Sequence, residues 1–79
     1  MWPKRVCSLA ELPTGTLGRV VKIFADGLWR QRLLDLGFTP GATVKVIRTS
    51  PTGDPVAYRL RGTTIALRKK DAALIWVEY

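Results

Sequence analysis

"TVKVIRTSPTGDPVAYRLRGTTIALR", residues 43–68, decides the fold class of this chain. Residues 43–50 are rich in β-branched side chains and read as a strand. "PTGDP", residues 51–55, is a loop that closes a hairpin, with Gly53 as its turn glycine. In "VAYRLR" the period is two. Val56, Tyr58 and Leu60 share one face, and Ala57, Arg59 and Arg61 share the other. Gly62 then turns the chain into "TTIALR", where Ile65 and Leu67 point inward.

Working outward, "LGRVVKIF", residues 17–24, is a further strand, and "IWVEY", residues 75–79, closes the chain as another. "KKDAAL" between them is a single turn. "SLAEL" opens with Ser8 and Glu11 at capping-box spacing and stops at Pro13, so one helical turn is expected there. Five short strands joined by Gly and Pro turns describe a small, partly open β-barrel. Such closure also removes exposed sheet edges from a small protein.

One helix interrupts this pattern, inserted after the first long strand. Asp26 can cap it, and it runs through "LWRQRLLDL". Trp29, Leu33 and Leu36 fall at i, i+4 and i+7, the spacing of a buried stripe. Arg30 and Leu34 lie on the neighbouring stripe, with Leu34 at the edge of the core. Gly37 follows the last helical residue, where a left-handed backbone suits glycine. Phe38 then folds back onto Leu33 in a Schellman ending. Pro40 and Gly41 supply the central positions of a type II turn.

The 79 residues are expected to form one domain, spanning 1–79, with 13 Lys and Arg against 6 Asp and Glu, a net charge of +7. That balance suits nucleic acid, an anionic membrane surface or an acidic protein. No apolar run reaches the length of about 18 residues that spans a bilayer. A soluble, cytoplasmic chain is the expectation. The sequence has no histidine and a single cysteine, Cys7. It therefore lacks the commonest general base and the ligands of a Cys/His zinc site. The carboxylates are dispersed, and each has an ordinary explanation as a cap, turn or solvated residue. No catalytic residue, metal ligand or cofactor site is assigned, and Cys7 reads as a small buried residue on a terminal strand. For nucleic acid, a barrel would need outward aromatics flanked by cations. Tyr58 and Trp29 read as inward, and Trp76 as outward beside Glu78, so no stacking platform is evident.

The ordered series "SLAELPTGTLGRVVKI" and "RQRLLDLGFTPGATVKVIRTSPTGDPVAYRLRGTTIALRKKDAALIWV" resembles the ferrous iron transport protein A (FeoA) family. The carriers are a "LxxLPxG" opening, an Arg-rich helix ending in "LGFTPG", a "GDP" loop, a "TIALR" strand and a short acidic-Ala turn. The resemblance implies a cytoplasmic SH3-like barrel, without enzymatic activity, that assists a membrane ferrous iron permease carrying a GTP-binding domain. It also implies that the inserted helix engages that partner. The residues that carry over are Arg30, Arg32, Leu33, Leu34 and Phe38, with Gly37, Pro40 and Gly41 shaping the turn. The same barrel is implied for the C-terminal domains of metal-dependent repressors. A nucleic-acid-binding barrel and a metal-sensing module remain as alternatives.

Overall fold

The computed structural model describes residues 5–79, so Trp2 and Lys4 lie outside the described residues. The strands are β1 (Val6–Ser8), β2 (Leu17–Ile23), β3 (Thr43–Thr49), β4 (Val56–Leu60), β5 (Thr63–Leu67) and β6 (Ile75–Glu78). Two helices accompany them, α1 (Gly27–Leu36) and the four-residue α2 (Lys69–Ala72), and residues 9–11 form one 3₁₀ turn.

All pairings are antiparallel, in the order β1-β6-β2-β3-β4-β5. The expected count of five strands is corrected to six. The additional strand, β1, is three residues long, too short to display a period, and pairs Val6–Ser8 with Glu78–Trp76 of β6. Among the described residues β1 and β5 end the pairing order and no ladder joins them, so the sheet is unclosed, the open side of the partly open barrel that was expected. Its strands still bend, because the register shifts between Val20 and Lys22 of β2 and between Val46 and Arg48 of β3. An extra residue in one strand of a pair kinks it and sharpens its twist. β2 pairs with β3 through residues 17–19 and with β6 through residues 19–23, which makes it the link between the two halves of the sheet.

The alternation read from residues 56–61 holds. Val56, Tyr58 and Leu60 are buried with Val44, Val46 and Leu67, while Arg59 is exposed. The β4–β5 hairpin turns on Arg61 and Gly62, with φ of 52° and 79°. Positive φ at both central residues is the geometry that matches the right-handed twist of the flanking strands. Cys7, Leu9, Val20, Ile23, Ile75 and Val77 complete the inward face from the β1-β6-β2 side.

Two of the expected caps are made differently. Ser8 and Asp26 occupy N-cap positions, yet neither side chain bonds the helix it precedes. The carboxylate that does cap a helix comes from the 51–55 loop. Asp54 Oδ1 accepts a 3.0 Å hydrogen bond from the Lys69 backbone N–H at the start of α2. The "GDP" stretch therefore ties the β3–β4 loop to the chain leaving β5.

Tyr58 is 1% exposed, and its phenol is pushed up to about 12 by burial and then by the Asp54 carboxylate. An unfolded tyrosine ionises near pH 10. Between these values the unfolded chain loses a proton that the folded chain keeps, so stability falls as pH rises. A denaturation midpoint followed by circular dichroism is expected to decline from about pH 10 to about 12. Tyr58→Phe should flatten that decline while leaving the neutral-pH fold intact.

Candidate functional site

α1 is the element least absorbed by the core. Leu33 is fully buried and Leu34 is half-buried against the core cluster. The expected stripe is corrected at both ends: Trp29 and Leu36 are 38% and 42% exposed. The arc facing the sheet is centred between Leu33 and Leu34. Trp29 and Leu36 lie roughly 40° and 60° from Leu33 on the opposite side, at about 100° per residue. They fall off the edge of the buried arc.

The reason lies at the helix C-terminus. Gly37 adopts φ 113°. Its N–H bonds the Leu34 carbonyl at 3.0 Å, and the Phe38 N–H bonds the Leu33 carbonyl at 3.1 Å. This paired pattern is the Schellman motif expected from the sequence, and it sends the Phe38 side chain into the core, where it is fully buried. The chain then turns at Pro40–Gly41, with Gly41 at φ 91° and the Ala42 N–H bonded to the Thr39 carbonyl at 2.9 Å. The Gly41 N–H docks this turn onto the Val20 carbonyl of β2 at 2.7 Å. Arg61 in the β4–β5 turn reaches back to Thr39 Oγ1 at 2.9 Å.

The outward side of α1 carries Leu28, Gln31, Arg32, Asp35 and Leu36, which together line a shallow open groove. Leu28 is 90% exposed. Gln31 Nε2 donates to Asp35 Oδ1 at 2.9 Å along one side. Of the residues carried over by resemblance, Arg30 and Arg32 are exposed and Leu34 is half-exposed. Leu33 and Phe38 offer no surface, so any part they play toward a partner is to hold the helix in place. Leu28, Gln31 and Asp35 were not singled out from the sequence, and Leu36 was read there as core rather than as surface. The available signal was that Leu28, Arg32 and Leu36 recur every four residues, a second stripe that one buried face of a ten-residue helix cannot absorb.

A second exposed apolar feature sits on the outer face of β2 and β6. Trp76 is half-buried there, and Phe24 meets it edge-on with ring centroids 5.9 Å apart at 76°. Lys22 Nζ lies 4.9 Å over the Phe24 ring. Each ring is engaged by its neighbour, so the pair differs from a row of open faces for stacking bases. Beside it, Arg19 and Glu78 form an ion pair.

Cys7 is buried in β1. Burial pushes its thiol up, the Glu11 carboxylate adds to this, and a hydrogen bond with Tyr79 opposes both. Among the described residues no group of three His, Cys, Asp or Glu is gathered to hold a metal ion. Among the described residues no helix is long and apolar enough to cross a membrane.

Fold and surface together define a small antiparallel β-sheet module that displays one helix. The chain belongs to the FeoA domain family, whose model matches residues 7–79. It is 41% identical over 70 residues to the Fe(2+) transport protein A/Fe(2+) transporter FeoB fusion protein of Porphyromonas gingivalis (strain ATCC BAA-308 / W83). That match covers 89% of this chain and 8% of the fusion protein, so the chain spans a small fraction of that relative's length. The solution structure of iron(II) transport protein A from Clostridium thermocellum superposes with a TM-score of 0.86 at 32% identity, over 90% of this chain and 44% of that one. Stenotrophomonas maltophilia FeoA, solved in complex with zinc and described as a prokaryotic SH3 domain protein, gives a TM-score of 0.78 at 31% identity. Those two chains are covered to 89% and 87%, this one first. The likeness extends to the SH3-like fold. The zinc belongs to that structure.

A Cβ at Gly37 would lie 3.0 Å from Leu60 Cδ2 on a backbone of φ 113°. Gly37→Ala is expected to cost about 1–2 kcal/mol from the left-handed backbone alone, read as a lowered denaturation midpoint. Cys7 should react with iodoacetamide at neutral pH far more slowly than it does in the denatured chain, because burial and a raised thiol both limit the thiolate.

Proposed function

We propose that this chain is a non-enzymatic, cytoplasmic accessory module of bacterial ferrous iron uptake. It binds the cytoplasmic part of a membrane iron permease with a GTP-binding domain and modulates that partner. The contact surface is the outward side of α1, built from Leu28, Arg32 and Leu36, with Trp29 at its margin, while Arg30 lies round the helix from it.

The observation that carries this reading is the exposure of large apolar side chains on a helix whose other side is anchored. A soluble chain that leaves Leu28 90% exposed, with Leu36 and Trp29 nearby in sequence and also exposed, keeps apolar area available for burial. Apolar patches rimmed by polar groups mark interaction sites, and Arg32, Gln31 and Asp35 supply that rim. An amphipathic helix also offers a partner a small set of anchors at i and i+4 spacing. The fusion relative supports the choice of partner, since in that protein a region 41% identical to this chain shares a polypeptide with an iron transporter. Covalent linkage raises the effective concentration of two modules that associate. The +7 charge would speed encounter with an acidic cytoplasmic domain, an effect that weakens with salt.

A pull-down with the permease's cytosolic domain, with and without guanine nucleotide, tests the reading. Leu28→Ser combined with Leu36→Ser is expected to leave the circular dichroism spectrum unchanged. The same pair should weaken binding roughly tenfold or more, since each buried leucine is worth about 1.5–3 kcal/mol. Leu33→Asp is expected to abolish folding, at a cost of several kcal/mol for a buried charge. Undiminished binding by the double serine variant would move the interface off α1.

A further inference from the structure

The outer face of β3, β4 and β5 is basic without compensation. Lys45, Arg48 and Arg59 are exposed on it, and Arg68, in extended backbone just beyond β5, adds a fourth exposed cation. Register places Lys45 directly opposite Arg59, and Arg48 opposite Ala57. On the next strand Arg59 faces Thr64, and Ala57 faces Ala66. Like charges directly opposite each other in an antiparallel pair destabilise the pair. Nothing in the core calls for this arrangement, because both side chains point away from it.

None of the three strands carries a carboxylate. Asp35 is held by Gln31 on α1, Asp54 caps α2, and Glu78, two strands away on β6, pairs with Arg19 of β2. Glu11, Asp26 and Asp71 lie in the 3₁₀ turn, at the start of α1 and in α2. Between the cations the face presents Thr43, Ala57, Thr64 and Ala66, with the half-buried Ile47 at the β3 register shift next to Arg48. It is therefore polyvalent and cationic. It also lacks an outward aromatic ring, since Tyr58 is turned into the core.

We propose that this face adsorbs to an anionic lipid surface, with Lys45, Arg48, Arg59 and Arg68 resting among headgroup phosphates and carboxylates. Several point charges spread over a plane match a plane of anions, and each Lys or Arg near such a surface adds to the attraction. A single-stranded nucleic acid would in addition call for rings on which bases stack, and these strands turn none outward. The choice of a membrane over other polyanions also rests on the membrane partner proposed above. Lipid contact would confine the module to the plane of the bilayer, where encounter with a membrane-embedded partner is favoured.

Cosedimentation with protein-free vesicles tests this without the permease, so the outcome is independent of the α1 interface. The intact chain is expected to sediment with vesicles containing roughly one-third phosphatidylserine and to stay in solution with phosphatidylcholine alone. Raising salt from about 50 to about 200 mM should release it. Lys45→Gln with Arg59→Gln should lower the partition at least about tenfold, with an unchanged circular dichroism spectrum. The charge-neutral Leu28→Ser/Leu36→Ser pair should bind vesicles as the parent does. If the double glutamine variant failed to fold, Arg59→Gln alone together with the lipid and salt dependence of the parent chain would decide the matter. Binding that ignores phosphatidylserine, or survives removal of both cations in a folded variant, overturns the proposal. Retention of a single-stranded oligonucleotide with no vesicle binding overturns it in favour of nucleic acid.

Discussion

The left-handed backbone at Gly37 is the constraint on which the rest of the surface depends. It lets two successive N–H groups bond the Leu33 and Leu34 carbonyls, ends α1 within one residue, and delivers the Phe38 side chain into the core beside Leu33. A residue with a Cβ would meet Leu60 there, so the stop and the packing of β4 are a single arrangement. Arg61 to Thr39 and Gly41 to Val20 then fasten the exit chain to the β4–β5 turn and to β2. The helix is clamped at its C-terminal end and lightly held elsewhere. Its early residues, Leu28 above all, stand in solvent because nothing in the sheet reaches them.

The distribution of carboxylates shapes the second surface. With 6 acidic residues against 13 basic ones, every acid given to a cap or an ion pair is withheld from the sheet face. Asp54 goes to α2 and Glu78 to Arg19, which leaves the β3–β5 face with cations and no carboxylate. Two chemically distinct exposed regions result, an apolar helix side and a basic sheet face. A β-sheet core with one inserted helix can supply both, because one face of each element suffices for folding.

Much of this was legible in advance. The period of two in residues 56–61, the turn glycines and the Gly37 stop were readable because each reports a local requirement, either a face or a backbone angle. The ordered motifs also pointed to the family. The site was less legible. Trp29 and Leu36 were assigned to the core by spacing alone, and spacing identifies a stripe without saying which of two overlapping stripes the sheet will cover. Leu28 opens the second stripe, but the Arg at its middle position keeps that stripe from reading as an apolar face. Strand β1 was legible only as a terminal strand under Cys7, without bounds, because three residues cannot display alternation.

The sequence by itself determined the strand and turn order, the helix stop, the absence of histidine and the excess of positive charge, all of which follow from residue type and near neighbours. Only the tertiary structure decided that six strands form an unclosed sheet, that α1 presents Leu28 and Leu36 outward, and that Lys45 lies across from Arg59. These depend on cross-strand register and on the angle at which a helix meets a sheet. Both are set by how many side chains must fit into one shared core, a condition that no local stretch of the chain contains.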